Sequence, residues 1–262
     1  MNGDELLGAF ESEPHRYSID FSFSKNISEV AKVPDLFKLL ESKVLPEIKR
    51  KAEAEITGGT KANGREDHLE TWWKFWRRRE DMLQIIAPLK RFIACSRVTS
   101  RSIFEFVPQA VRPNDALMVF AFEDDYSFGV IQSDAHWQWW KAKCSTFEAR
   151  LRYTTTSVWD TFPWPQRLSK KQQETVAQSA KNLRDARTQA MQDHRMSLRD
   201  LYRLLEKPGK NPIKDLHASL DKAVLAAYGF DAKQDLLAQL LALNREVAEK
   251  EGRGEKVRGP GL

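Results

Sequence analysis

Residues 92–132, FIACSRVTSRSIFEFVPQAVRPNDALMVFAFEDDYSFGVIQ, decide the fold class. Within them, 92–98, 103–107, 117–122 and 128–132 are short runs rich in Ile, Val and Phe. Turn residues such as Ser100, Pro108, Pro113, Asn114 and the acids at 123–125 separate them. Short apolar runs at this spacing predict several strands of one sheet. Ser133 and Asp134 then open a short helix over 136–143, with Trp137, Trp139 and Trp140. Another strand is expected over 147–153, and the two prolines of VWDTFPWP at 158–165 close the region.

Outward from this centre the character changes. After Pro165, Ser169 and Gln172 have the spacing of a capping box and predict a long polar helix to about Arg195. Ser197 caps a short helix ending near Glu206. Residues 208–212 turn, and 213–228 form a helix stopped by Gly229. Asp231 is expected to cap a last helix to about Lys250, leaving 251–262 as a disordered tail. Upstream, residues 1–16 read as a flexible lead-in. Tyr17, Ile19, Phe21 and Phe23 alternate as a strand would, and Ser28 is placed to cap the next helix. A helical pattern over 35–54 must kink or restart at Pro46. A loop over 58–67 leads into a helix expected over 68–89 that carries Trp72, Trp73, Trp76 and the basic run at 77–79.

The fold expected is therefore α+β: a mixed or antiparallel sheet with packed helices, then a small all-α domain. The divisions are a connecting segment at 1–66, a sheet-containing domain at 67–166, a helical domain at 167–250 and the tail.

The chain has 262 residues and a net charge of +5, with 41% hydrophobic residues. Mean hydropathy is −0.57. No run approaches the roughly 18 apolar residues of a membrane span, and the first residues do not read as a signal peptide. Two cysteines, Cys95 and Cys144, are too few for a disulfide scaffold, which suits a cytoplasmic location. Over 71–101, Lys74, Arg77, Arg78, Arg79, Lys90, Arg91, Arg97 and Arg101 face only Glu80 and Asp81. Such an excess suits a polyanionic partner; the plainer alternative is a solvated basic surface.

The sequence lacks the signatures of a self-sufficient active site. It has no glycine-rich phosphate loop and no nucleophile elbow. The five histidines are scattered. His136 could serve as a ligand or base, or could pack and hydrogen-bond locally. Cys95 and Cys144, among apolar neighbours, read as buried rather than reactive. Glu123, Asp124 and Asp125 could hold a divalent ion, or form a solvated turn.

Binding features are stronger. If 147–153 is one strand, Phe147, Ala149, Leu151 and Tyr153 share one face, and Glu148, Arg150 and Arg152 the other. The second face sets an acceptor beside two planar donors. Arginine pairs bidentately with guanine, and glutamate accepts from the cytosine amino group, so this face could read a major groove. A salt-bridged surface strand is the alternative. Most of the eight tryptophans are expected in the core; one or two could stack on unpaired bases.

Several ordered runs carry a resemblance: RFIACSRV at 91–98, PNDALMVFAFEDDYSFG at 113–129, IQSDAHWQWW at 131–140 and RYTTTSVWDTFPWP at 152–165. They resemble the target recognition domain of single-chain type II restriction-modification enzymes of the MmeI kind and related large class 1 DNA methyltransferases. Residues 17–23, the helical stretch after them, and Trp72, Trp73 and Arg77 to Arg79 resemble the segment that comes after the methyltransferase core in those proteins. LHASLDKAVLAAYGF at 216–230 and LLAQLLALNREV at 236–247 look like the C-terminal helical domain.

The resemblance implies a division of labour. A separate methyltransferase domain or subunit would bind S-adenosylmethionine and methylate adenine at N6. Its Asn-Pro-Pro-Tyr/Phe and glycine-containing motifs do not occur here, so this chain is expected to be no enzyme by itself and to hold no cofactor or metal. Its partner would be double-stranded DNA. Base reading falls on Glu148, Ala149 and Arg150, with Arg152 added by the strand face. Phosphate contacts fall on Lys74, Arg77, Arg78, Arg79, Arg91, Arg97 and Arg101. Open alternatives are a specificity subunit acting in trans, a protein-interaction scaffold, and RNA binding through the tryptophans.

Overall fold

The computed structural model describes residues 1–8, 17–58, 64–147 and 150–261. Glu148 and Ala149, part of the lead-in and the centre of the loop over 58–67 lie outside them. The chain forms two compact units, Arg16–Ile85 and Met1–His15 with Ile86–Leu262. No described helix is long and apolar enough to cross a membrane.

The lead-in is not wholly irregular. It contains α1 (Gly3–Gly8), whose Leu6 and Leu7 are buried in the larger unit.

The smaller unit begins with a correction: the expected strand at 17–23 is irregular chain and turn. Among the described residues no strand pairs with it; Ser24 N donates to Phe21 O, and the Asp20 carboxylate takes Ser22 N. The alternation survives as packing, because Ile19 and Phe21 lean on a core of Val30, Leu40, Ile48 and Trp72. Around that core lie α2 (Ile27–Val30), α3 (Pro34–Lys43), α4 (Leu45–Thr57) and α5 (Arg65–Leu69). Asn26, not Ser28, caps α2 by accepting from Glu29 N. Pro46 restarts the chain in the first turn of α4, where its missing N–H is harmless.

The helix expected over 68–89 breaks after one turn and resumes as α6 (Glu80–Ile86). The basic stretch 74–79 is irregular. The His68 ring Nε2 lies 2.8 Å from Lys74 O and holds that carbonyl out of a helical ladder. Arg79 sits at φ 55, in the left-handed region. Trp72 turns into the core edge-on to Trp73, with ring centroids 6.2 Å apart.

The larger unit contains two antiparallel sheets. In the first, β1 (Arg91–Ser96) lies between β3 (Phe104–Pro108) and β4 (Leu117–Phe120). In the second, β2 (Val98–Thr99) and β5 (Ser145–Phe147) flank β6 (Arg150–Arg152). Residues 92–95 of β1 are all buried. Of the expected strands, 128–132 is instead helical, within α7 (Asp125–Gln132). Asp124 starts it by accepting from Ser127 N at 2.7 Å. Tyr126 through Gln132 are buried on every side, so no apolar face remains for periodicity to reveal.

α8 (Asp134–Lys143) follows, and a π-helical turn (Thr155–Trp159) precedes the FPWP run. The later helices largely match expectation: α9 (Lys170–His194) with its Ser169–Gln172 capping box, α10 (Leu198–Leu205) capped by Ser197, and α11 (Pro212–Tyr228) ended by Gly229 at φ 71. The last, α12 (Leu236–Gly252), is capped by Asp235, whereas Asp231 closes a turn by accepting from Lys233 N.

α9 packs on α7 and α11. Arg187 of α9 is buried and donates to the Glu105 carboxylate at 2.5 Å and to Phe104 O at 2.8 Å. These contacts join the helical segment after 166 to the sheet. The expected disordered tail also docks in part. Gln166 exchanges two side-chain hydrogen bonds of 2.9 Å with the backbone of Arg258, and Gly261 is buried against Phe122.

Candidate nucleic-acid interface

One chain trace links the two sheets. β1 leaves the first sheet at Arg97, whose N–H donates to Ala116 O at 2.8 Å. The Arg97 carbonyl accepts from Tyr153 N at 2.8 Å, and the chain continues as β2 in the second sheet. There Val98 lies opposite Arg152, and Arg152 opposite Ser145. Phe147 pairs with Arg150. The expected single strand over 147–153 is therefore corrected to two antiparallel strands. The apolar alternation on which that reading rested belongs only to its second half.

Within that half the predicted faces hold. Arg150 and Arg152 are exposed, Leu151 is half-buried and Tyr153 is buried. Tyr153 anchors the ribbon. Its ring lies edge-on to Trp140, with centroids 4.7 Å apart, and its hydroxyl meets His136 Nε2 at 3.0 Å. The other ring nitrogen, Nδ1, faces Ile131 O at 2.8 Å and must carry the proton. Nε2 then accepts from the tyrosine. Burial pushes His136 down to about 4, so it is neutral at pH 7. Of its two sequence readings, local packing and hydrogen bonding is the one observed.

Further contacts fix the foot of the ribbon. The hydroxyls of Ser145 and Thr154 are 3.1 Å apart, Ser157 Oγ donates to Lys143 O at 2.7 Å, and Trp139 Nε1 donates to Val158 O at 3.1 Å. Two exposed arginines thus project from a short ribbon whose base is tied into an aromatic core. The hydroxyl residues around them gave no sequence signal, because strand pairing alone brings Ser145 beside Arg152.

The residues singled out for phosphate contact do not share one environment. In the smaller unit, Arg77 and Arg79 are exposed. The Arg77 and Arg65 guanidinium carbons lie 4.8 and 3.6 Å from the Trp76 ring centroid, and Arg78 pairs with Glu80 at 3.0 Å. Lys74 is half-buried. In the larger unit, Arg91 stacks on Phe106 at 3.6 Å while donating to Glu123 O and, at 3.5 Å, to Asp125. Arg97 is half-buried at the sheet junction. Arg101 forms an ion pair with Glu206.

The acidic run is occupied internally. Glu123 accepts from Lys90 N, Asp124 caps α7, and Asp125 receives Arg91 and Arg184. No group of three or more acids, histidines or cysteines suited to a metal occurs among the described residues. Cys95 is fully buried and its thiol is pushed well up by burial; Cys144 is half-buried. The tryptophans Trp139, Trp140 and Trp164 are core residues, and Trp137 is half-buried.

Residues 76–166 match the family of the MmeI target recognition domain. That span holds every residue singled out for DNA contact except Lys74. The fold is similar to a solved structure, the Type IIL restriction-modification enzyme MmeI in complex with DNA, with a TM-score of 0.64 and 23% identity. The match covers 79% of this chain and 26% of that one, so the chain spans about a quarter of the MmeI chain. At this identity the likeness establishes the fold. No curated protein matches the chain. The matched span takes in α6, β1 to β6, α7, α8 and the FPWP run, and the strand of Arg150 and Arg152 lies inside it.

Proposed function

We propose that this chain reads DNA sequence for a restriction-modification DNA methyltransferase specific for adenine. One observation carries the reading: the exposed Arg150 and Arg152 project from an anchored ribbon inside the residues that match a target recognition domain. In the major groove planar donors distinguish guanine from the other bases. Arg150 and Arg152, with Glu148 and Ala149, read base edges. Exposed Arg77 and Arg79, with Lys74, Arg78 and Arg97, contact phosphates and supply salt-sensitive affinity. Arg78, Arg91 and Arg101 make such contacts only by loosening their present partners.

Methyl transfer belongs to a separate domain or subunit. Both sheets are antiparallel, which supports this reading, because the common nucleoside cradle is built from a parallel strand, a glycine turn and a helix. The adenine to be methylated would be flipped into that other domain.

The test is anisotropy on a random-sequence duplex pool at two salt concentrations, with bound DNA recovered and sequenced. Enrichment of one short motif, with affinity falling steeply as salt rises, is the expected result. Absence of binding at low salt would overturn the reading.

A further inference from the structure

The loop after β2 ends in an ion pair between Arg101 and Glu206, a cation–anion contact of the kind a phosphate can replace. Arg101 Nε meets one Glu206 carboxylate oxygen at 2.5 Å, and its NH2 meets the other at 2.7 Å. NH1 reaches Ser100 Oγ at 3.3 Å. Thr99 Oγ1 closes the loop by bonding both Arg101 N, at 3.1 Å, and Arg101 O, at 3.0 Å. Glu206 is the C-cap of α10, in the helical segment. The hydrogen bond runs through NH2 alone, with Nε in charge contact only, and a guanidinium offers the same charge-assisted contact to a phosphate.

The pair also stands beside the ribbon. β2 is hydrogen-bonded to β6, the strand of Arg150 and Arg152, and Arg101 follows β2 by two residues. Arg101 and Glu206 form part of the wall of an open cleft of about 450 Å³, together with Ser102, Trp137 and Lys214. The side chains are 26% and 56% exposed, so water and salt reach the pair. An ion pair this exposed is weakly held and readily exchanged.

We propose that Glu206 occupies Arg101 in the free protein as a stand-in for a DNA phosphate, and that duplex binding exchanges the carboxylate for a backbone phosphate. This inference rests on the DNA-recognition reading above. Two anions cannot share the same face of one guanidinium, so the contact forms only where the rest of the interface holds a phosphate in place. Glu206 therefore subtracts more from non-specific binding than from specific binding.

The experiment compares the full chain with Glu206→Gln, Arg101→Ala and the double variant by anisotropy on random-sequence duplex over a salt series. Circular dichroism confirms folding of each. Glu206→Gln should tighten binding roughly three- to tenfold at low salt and steepen the log affinity against log salt slope by about one. In the Arg101→Ala background the same substitution should change affinity less than about twofold, because there is no guanidinium left to release. Equal gains in both backgrounds would mean general charge removal and would overturn the exchange, as would weaker binding by Glu206→Gln. A chain that binds duplex yet ignores Glu206→Gln sinks the exchange alone. A chain that binds no duplex at any salt sinks the recognition reading with it.

Discussion

The Tyr153 hydroxyl donates to Nε2 of His136 across 3.0 Å, and this bond ties the residue after Arg152 into the core. Both partners are buried. Tyr153→Phe would keep the ring packing and strip His136 of its donor. A buried acceptor left unpaired costs about 1–3 kcal/mol. Urea unfolding should show that loss, together with weaker discrimination among duplex sequences as the ribbon loosens. Wild-type stability in Tyr153→Phe would mean that water replaces the hydroxyl.

Two histidines, the buried His136 and the half-buried His217, set the acid limit. Burial pushes His136 down to about 4 and, with the Arg187 charge nearby, His217 to about 4 as well. Each stays neutral in the fold where the unfolded chain is protonated. Their contribution is full above the ordinary value of 6.5 and drains as pH falls toward 4. Asp221 acts oppositely. Burial raises it from 3.8 to about 6, so the fold keeps a proton the unfolded chain has lost. Between about 4 and 6 unfolding thus takes up two protons and releases one. Stability should fall by up to about 1.4 kcal/mol per pH unit on acidification there. Asp221→Asn removes the release and should steepen the fall. Urea midpoints at successive pH values check both slopes.

Gly129 marks where α7, α9 and α11 meet. A Cβ there would lie 2.8 Å from Val176 Cγ1, 3.2 Å from Ala180 Cβ and 3.2 Å from Leu220 Cδ1. Gly129→Ala should therefore destabilise by about 1–3 kcal/mol despite alanine's better helix propensity. Adding Val176→Ala opens the tightest contact and should recover part of the loss. A melting series on the three variants decides it.

Arg187 is almost wholly buried, and Glu105 neutralises it while Phe104 O takes a further N–H. Arg187→Ala should cost about 3–5 kcal/mol, because the partly buried Glu105 loses its counter-charge. Lysine should rescue little, since one ammonium cannot replace a planar fork whose Nη2 meets Glu105 and Phe104 O while Nη1 meets Gln132 Oε1 at 3.3 Å. Chemical unfolding of both variants provides the check.

What the sequence revealed depended on whether the deciding force was local. Helix starts at Ser169 and Ser197 and the stop at Gly229 were legible because a cap is made within three or four residues. Three strands of the first sheet were legible from short apolar runs. The helix α7 was not, because burial on all sides erases the period. The break at 70–79 was hidden because it depends on the His68 ring reaching the Lys74 carbonyl. At the candidate interface, the outward face of Arg150 and Arg152 followed from alternation with Tyr153. The antiparallel pairing of Phe147 with Arg150 did not, since pairing partners leave no mark in a run of three residues. Arg101 reads as a free cation in sequence; only the fold brings Glu206 to it.

Arg150 and Arg79 should separate reading from gripping. Arg150 is exposed on a strand of the larger unit, whereas Arg79 is exposed in the irregular basic stretch of the smaller unit. A base contact discriminates one base pair; a phosphate contact is indifferent to sequence. Arg150→Ala should weaken the preferred duplex by roughly 1–3 kcal/mol relative to a duplex changed at one base pair, and leave random-sequence affinity nearly unchanged. Arg79→Ala should weaken all duplexes alike and lower the salt slope by about one. Anisotropy on the enriched motif, its single-base variants and a random pool gives all three numbers. An Arg150→Ala variant that loses affinity equally for every duplex would move Arg150 from base reading to phosphate contact.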